Sequence, residues 1–144
     1  SSAVNDNMDL FEAARVGAML QKLDTMDPAV VPARQALEMA TIGGARALGL
    51  EDEIGSLEPG KRADVILVEL SGAHMRPINQ ILNNLVYAAS APADISDVIV
   101  DGEILVRDRR LCRVDERDIV TESEAYLIKR LPEAGLEVPP FYRS

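Results

Sequence analysis

The chain has 144 residues, with 15 Lys plus Arg against 24 Asp plus Glu, a net charge of −9 and 47% hydrophobic residues. That length suits one ordinary domain or pieces of two, and that apolar content excludes a disordered chain. The acidic balance argues against nucleic acid and anionic membranes as partners, and a single histidine, His74, with a single cysteine, Cys112, excludes a histidine-rich metal centre and an internal disulfide.

The first residues, Ser1 to Asp6, lack the basic-then-apolar pattern of a signal peptide and do not begin with Met, so an unnatural start is expected. No apolar run reaches the roughly 18 residues that span a bilayer. The lone cysteine fits a reducing cytoplasm, the expected location.

Asn5 to Lys22 reads as a helix, with Asn7 or Asp6 as its cap and with Asp9 and Glu12 at the positive end of its dipole. Leu10, Phe11, Ala14, Ala18 and Gln21 mark one face; Val16, Met19, Leu20 and Leu23 mark another. So wide an apolar surface predicts packing against two neighbours. Asp24 to Pro28 is a break. A second helix is expected from Pro32, where Ala33, Ala36, Leu37 and Ala40 keep helical spacing. Thr41 is placed to cap a third, Gly43 to Leu48, which Gly49 ends.

The pattern changes near residue 53. Pro59-Gly60 is the central pair of a type II turn. Ala63 to Leu70 reads as a strand, and its run Val65 to Val68 predicts burial on both faces. Pro77 to Tyr87 is expected to be helical, with Ile78, Ile81, Leu82 and Leu85 on its apolar side. Val98 to Val100, Asp101-Gly102 and Ile104 to Val106 give a hairpin signal. A short strand is expected over Arg110 to Val114, then a helix over Asp115 to Leu131 whose sparse apolar side is Ile119, Tyr126, Leu127 and Leu131. Pro132, Gly135, Pro139 and Pro140 end it, and the tail is expected to be extended. Helices, then strands, then a helix suggest two pieces meeting near residues 50 to 58.

The motifs are mostly bland. Gly55 to Arg62 resembles a phosphate-binding loop, but Arg62 stands where Ser or Thr must hold magnesium, and a strand follows where a helix should. A turn is the better reading. His74 has no ligand-type residue at ligand spacing, so a surface or capping role is expected. Cys112 reads as a packed strand residue. The arginines at 107, 109, 110, 113 and 117 interleave with Asp108, Asp115, Glu116 and Asp118, which predicts a self-neutralising, solvated cluster. Asp6, Asp9, Glu12, Asp24 and Asp27 could supply paired carboxylates for proton transfer, yet they suit capping equally well.

An ordered set of segments carries a resemblance. Ser1 to Glu12, Ala18-Met19-Leu20-Gln21-Lys22, Ala40 to Leu50, Ile54 to Ile66, Asn84-Leu85-Val86-Tyr87-Ala88 and Val98 to Gly102 together resemble the amidohydrolase superfamily. The branch they look most like is the methylthioadenosine/S-adenosylhomocysteine deaminases, with the triazine chlorohydrolases beside it.

The resemblance implies α/β plus β architecture: the last helices of a β/α (TIM-type) barrel, then the C-terminal part of a small β-sandwich and a terminal helix. The implied limits are 1–52 for the barrel helices, 53–114 for the sandwich portion and 115–144 for the terminal helix and tail. It also implies a metal-dependent hydrolase of non-peptide C–N bonds that deaminates an aminopurine or related heterocycle by metal-activated water. The implied metal is divalent, zinc ahead of iron, and its ligands lie outside this chain, the last of them just before Ser1. The chain alone is then inactive, with no catalytic residue and no metal ligand of its own.

Asn5 and Asn7 are carried over as residues that support the site at the barrel mouth or bind substrate. Asp64 is carried over as structural, satisfying amides of the preceding turn. The implied partners are a small heterocyclic substrate, the remaining barrel polypeptide and further copies in a homo-oligomer, with neither nucleic acid nor membrane. A non-catalytic, strand-rich interaction or assembly module is the competing expectation. Either way, apolar segments such as Val65 to Val68 are expected to be underburied in this stretch alone.

Overall fold

Asp9 starts the first helix. Its Oδ1 accepts from the amides of Phe11 at 2.8 Å and Glu12 at 3.2 Å, which satisfies two of the donors that a helix start leaves open. In the computed structural model, which describes residues 7–142, helix α1 therefore spans Leu10–Thr25 rather than starting at Asn5. The predicted cap is corrected: Asn7 lies outside the helix, and Asp6 lies outside the described residues. Met26, left-handed at φ 52°, closes the helix. The Lys22 ammonium then donates to the carbonyls of Pro28, at 2.8 Å, and Val30, which fastens the exit loop.

Helix α2, Ala33–Glu38, runs through a π-helical turn, Met39–Gly43, into α3, Gly44–Leu48. Two separate helices were expected. Thr41 is not a cap; its hydroxyl donates back to the Leu37 carbonyl at 2.7 Å from inside the continuous helical run. Pro32 stands one residue outside α2, at the capping position.

The core of this layer is small. Ala18, Ala33, Ala36 and Val86 are buried, and Val31, Leu37 and Leu82 pack around them. Alanines let α1, α2 and α4 (Ile81–Tyr87) approach closely, because little side chain separates their backbones. Only one of the two predicted faces of α1 is used: Val16, Met19, Leu20 and Leu23 are exposed. Helix α4 begins later than expected and turns Val86 inward, while Ile81 is 52% exposed. The buried stripe runs through Leu82 and Val86, one turn apart, and leaves Ile81 beside it.

The loop after α3 lies on it. Gly55 has φ +89°, and a β-carbon there would stand 2.8 Å from Ala45 Cβ and 2.9 Å from Ile42 Cα. The turn that follows closes where the Lys61 amide donates to the Glu58 carbonyl at 3.2 Å. The Lys61 ammonium donates to Ser56 Oγ at 2.7 Å and to the Glu51 carbonyl. The lysine of the phosphate-loop lookalike thus ties its own loop.

Strands β1 (Val65–Val68), β2 (Ile95–Val100) and β3 (Glu103–Arg107) pair antiparallel in chain order, with Val65 opposite Ile99 and Ile99 opposite Ile104. Asp101 and Gly102 take φ 51° and 79°, the two positive values that a tight hairpin needs. β1 is an edge strand among the described residues. Ile66 is 46% and Leu67 50% exposed, so the strand is not buried on both faces and is underburied in this stretch, as expected of it alone. A one-turn helix that was not predicted, α5 (Ala91–Asp94), leads into β2.

The chain divides into a unit ending at Arg109 and a second beginning at Arg110. In the second, β4 covers only Arg110–Leu111, and Cys112 is exposed instead of packed in a strand. Asp115 Oδ1 accepts from the Arg117 amide at 2.8 Å and starts α6, Glu116–Glu133, which runs past its predicted end and includes Pro132. No residue of α6 is buried. A short 3-10 turn, Pro140–Tyr142, interrupts the tail that was expected to be extended.

Gly55→Ala should destabilise the protein by about 2 kcal/mol, since it combines a left-handed backbone with two contacts that cannot relax cheaply. Urea denaturation of wild type and variant, compared at equal slope, measures the difference.

Candidate functional site

The candidate site is a polar junction within the first unit, where the start of α1 meets the segment between α4 and β2. Asp9 serves both sides. While its Oδ1 caps α1, its Oδ2 accepts from the Ala91 amide at 3.0 Å. Asn7 stands in front of it: the Asp9 amide donates to Asn7 Oδ1 at 2.7 Å, and the Asn7 amide group donates to the Glu12 carboxylate. Both oxygens of Asp9 are thus engaged by backbone donors, which suits positioning and not proton transfer.

Arg15, further along α1, donates from Nε to the Val86 carbonyl at 3.0 Å and from Nη2 to the Ala89 carbonyl. It occupies carbonyls at the C-terminal end of α4, where a cation is favoured.

Beside Ala91 lies a buried carboxylate. Asp94 is 3% exposed. His74 Nε2 stands 2.9 Å from its Oδ1 and 3.0 Å from its Oδ2, and the Ser90 amide donates to Oδ2 at 2.8 Å. Burial pushes the Asp94 carboxyl upward, but the His74 hydrogen bond and the Ser90 amide outweigh it and hold the group below its ordinary value. His74 was expected to be a surface or capping residue without a carboxylate nearby. Its side chain is indeed 48% exposed, yet it is paired with Asp94. It sits on the 3-10 turn Ala73–Met75, which is anchored by the fully buried Met75 and by Asn84 Nδ2 donating to the Met75 carbonyl at 2.7 Å.

Of the residues carried over from the resemblance, Asn7 is in this junction and Asn5 lies outside the described residues. Asp64 lies apart. Its Oδ1 accepts from the Asp101 amide at 2.7 Å, so it holds the β2–β3 hairpin turn, not the turn preceding it in sequence. The remaining acids are local: Asp27 Oδ1 accepts from the Ala29 amide at 2.8 Å. Arg109 pairs with Glu69 and donates to the Ala93 carbonyl at 3.1 Å, so its partner is not one of the interleaved acids.

Among the described residues, no group of three or more His, Cys, Asp or Glu could hold a metal ion. These residues therefore do not fit the implied divalent metal. No helix among them is long and apolar enough to cross a membrane. A cavity of about 560 Å³ opens between the starts of α2 and α4, but Arg34 is the sole charged residue lining it. It offers no acid–base pair.

Comparison with known proteins adds a family. The model of the amidohydrolase family matches residues 1–105. The chain is 45% identical over 119 residues to a 5-methylthioadenosine/S-adenosylhomocysteine deaminase of Syntrophomonas wolfei, a match that covers 83% of this chain. It superposes on an adenosine deaminase from Xanthomonas campestris with bound zinc at a TM-score of 0.86, with 35% identity over 90% of this chain. It superposes on the zinc complex of atrazine chlorohydrolase from Arthrobacter aurescens at 0.76, with 31% identity over 87% of this chain. The chain spans only 27%, 29% and 28% of these three proteins, respectively.

The lowered pKa of Asp94 makes a stability statement. A carboxyl whose folded value lies below its unfolded value, about 3.9, adds stability above that value and loses it as pH falls through the folded one. Asp94→Asn should therefore lower stability at neutral pH and flatten part of the acid limb below about pH 4. Part of the limb should remain, because Ser56 lowers Glu58 and Arg109 lowers Glu69 in the same direction. Urea denaturation across the acid range measures both effects.

Proposed function

The chain belongs to the amidohydrolase family, and on that premise we propose that the protein it forms part of is a hydrolase that deaminates the purine ring of adenosine-like compounds. The reaction replaces an exocyclic amino group by oxygen from water and releases ammonia. The observation that carries this reading is the match to named deaminases across the helical and the stranded parts of the chain. Dechlorination of a triazine is the weaker reading, since identity and superposition both favour the deaminases.

In this reading, residues 1–52 are the last helices of a β/α barrel, residues 53–114 contribute to a β-sandwich and residues 115–144 form a terminal helix and tail. Asn7 borders the barrel mouth, where sites of this architecture lie. It accepts from the Asp9 amide and donates to the Glu12 carboxylate. Asp64 has a structural role in the hairpin. The divalent metal, zinc ahead of iron, is held by polypeptide outside this chain. The whole protein works as a homo-oligomer in the cytoplasm, on a small heterocyclic substrate.

The test is direct. The whole protein, purified with zinc, should release ammonia from 5′-methylthioadenosine, S-adenosylhomocysteine or adenosine, and should release little chloride from atrazine. A chelator should abolish turnover, and added zinc should restore it. Metal-replete protein that releases no ammonia from any of these nucleosides overturns the reading.

A further inference from the structure

Two carboxylates grip one dipeptide. The Ser90 amide goes to Asp94 at 2.8 Å, and the next amide, Ala91, goes to Asp9 at 3.0 Å. His74 holds Asp94 from the other side, and Asp9 receives Asn7. A path of hydrogen bonds, joined through the Ser90-Ala91 peptide and the Asp9 backbone, thus runs from His74 through Asp94 and Asp9 to Asn7. It joins a half-exposed imidazole on one turn to the root of the segment that leads into α1.

We propose that His74 and Asp94 are positioning residues for the site that Asn7 borders. The inference rests on the proposed deaminase reading. Gross docking does not need this chain of bonds, because Arg15 already ties the body of α1 to the Val86 and Ala89 carbonyls. What Arg15 leaves free is the angle of the helix start, and the Ala91–Asp9 bond sets it. That bond is only as fixed as the Ser90-Ala91 backbone, which Asp94 holds and His74 in turn steadies. Burying the Asp94 carboxylate is costly, and the His74 and Ser90 hydrogen bonds that act against that cost also fix the carboxylate to this dipeptide. Small displacements of a site-bordering segment act on the reacting geometry more than on substrate affinity.

The experiment uses the whole, metal-replete protein with 5′-methylthioadenosine as probe. His74→Ala should lower kcat per folded molecule about tenfold with KM within about threefold of wild type, because the error is one of position. His74→Gln can place an amide donor where Nε2 stood, and should recover most of kcat. Amide hydrogen exchange of Phe11, Glu12 and Ala91 should quicken in His74→Ala and not in His74→Gln. If His74→Ala does not fold, His74→Asn, whose amide falls short of Asp94, replaces it. Unchanged kcat in the variant lacking the donor, or equal loss in it and in His74→Gln, overturns the proposal. If wild type deaminates nothing, the functional reading fails on its own; unchanged exchange in the His74 variants would then show separately that no such linkage exists.

Discussion

The junction depends on how one carboxylate divides its oxygens. Asp9 spends Oδ1 on the open amides of α1 and Oδ2 on Ala91, a residue 82 positions away. A helix start must find partners for its amides, and a short capping side chain commonly serves only its own helix. Here the capping atom's twin is free to reach out, and it fixes the helix start to a distant stretch of backbone. Arg15, lower on the same helix, grips the same stretch by its carbonyls. Donors and acceptors of one segment are thus collected by one helix.

That arrangement explains why the core can be so slight. Ala18, Ala33 and Ala36 bury little surface each. Their value is closeness: backbones that approach this near can exchange side-chain-to-backbone bonds without long linkers. The large apolar residues lie elsewhere, on the outer face of α1 and on β1, where Met19, Leu20, Leu23, Ile66 and Leu67 are exposed. A family whose members are several times longer than this stretch has polypeptide to spare for those faces, and the proposed barrel and sandwich would use it there.

What could be read from the sequence was what is decided locally. Asp101-Gly102 needs two left-handed residues in a row, and Pro59-Gly60 brings its own turn geometry, so both were legible without any tertiary knowledge. Gly49 ends its helix for the same reason. The cap was not legible: Asn7 or Asp6 was expected there and Asp9 was read only as an acid of the first turn, whereas Asp9 accepts from the Phe11 and Glu12 amides and from the distant Ala91 amide. Nor was the His74–Asp94 pair, whose members lie twenty residues apart in sequence on two separate turns. Spacing rules see ligands on one element; they do not see two short turns that meet only in the folded chain. Val86 was missed because the apolar side was drawn through Ile78, Ile81, Leu82 and Leu85, whereas the packed stripe runs from Leu82 to Val86. The family resemblance reached further than periodicity, since ordered segments point to a family that spacing alone does not, and the amidohydrolase family matches residues 1–105.

The loop between α1 and α2 carries its own lesson. Val31 is β-branched and holds φ at 45°, a conformation such residues resist. Opposing that reluctance is a single ammonium, Lys22, turned toward the carbonyls of Pro28, Val30 and Val31. The gap between two helical axes is therefore gauged by the reach of one lysyl arm. Lengthening the excursion would carry at least one oxygen beyond that arm and release the bend at Val31, so this crossing is a poor place for the chain to acquire extra residues, exposed though much of it is.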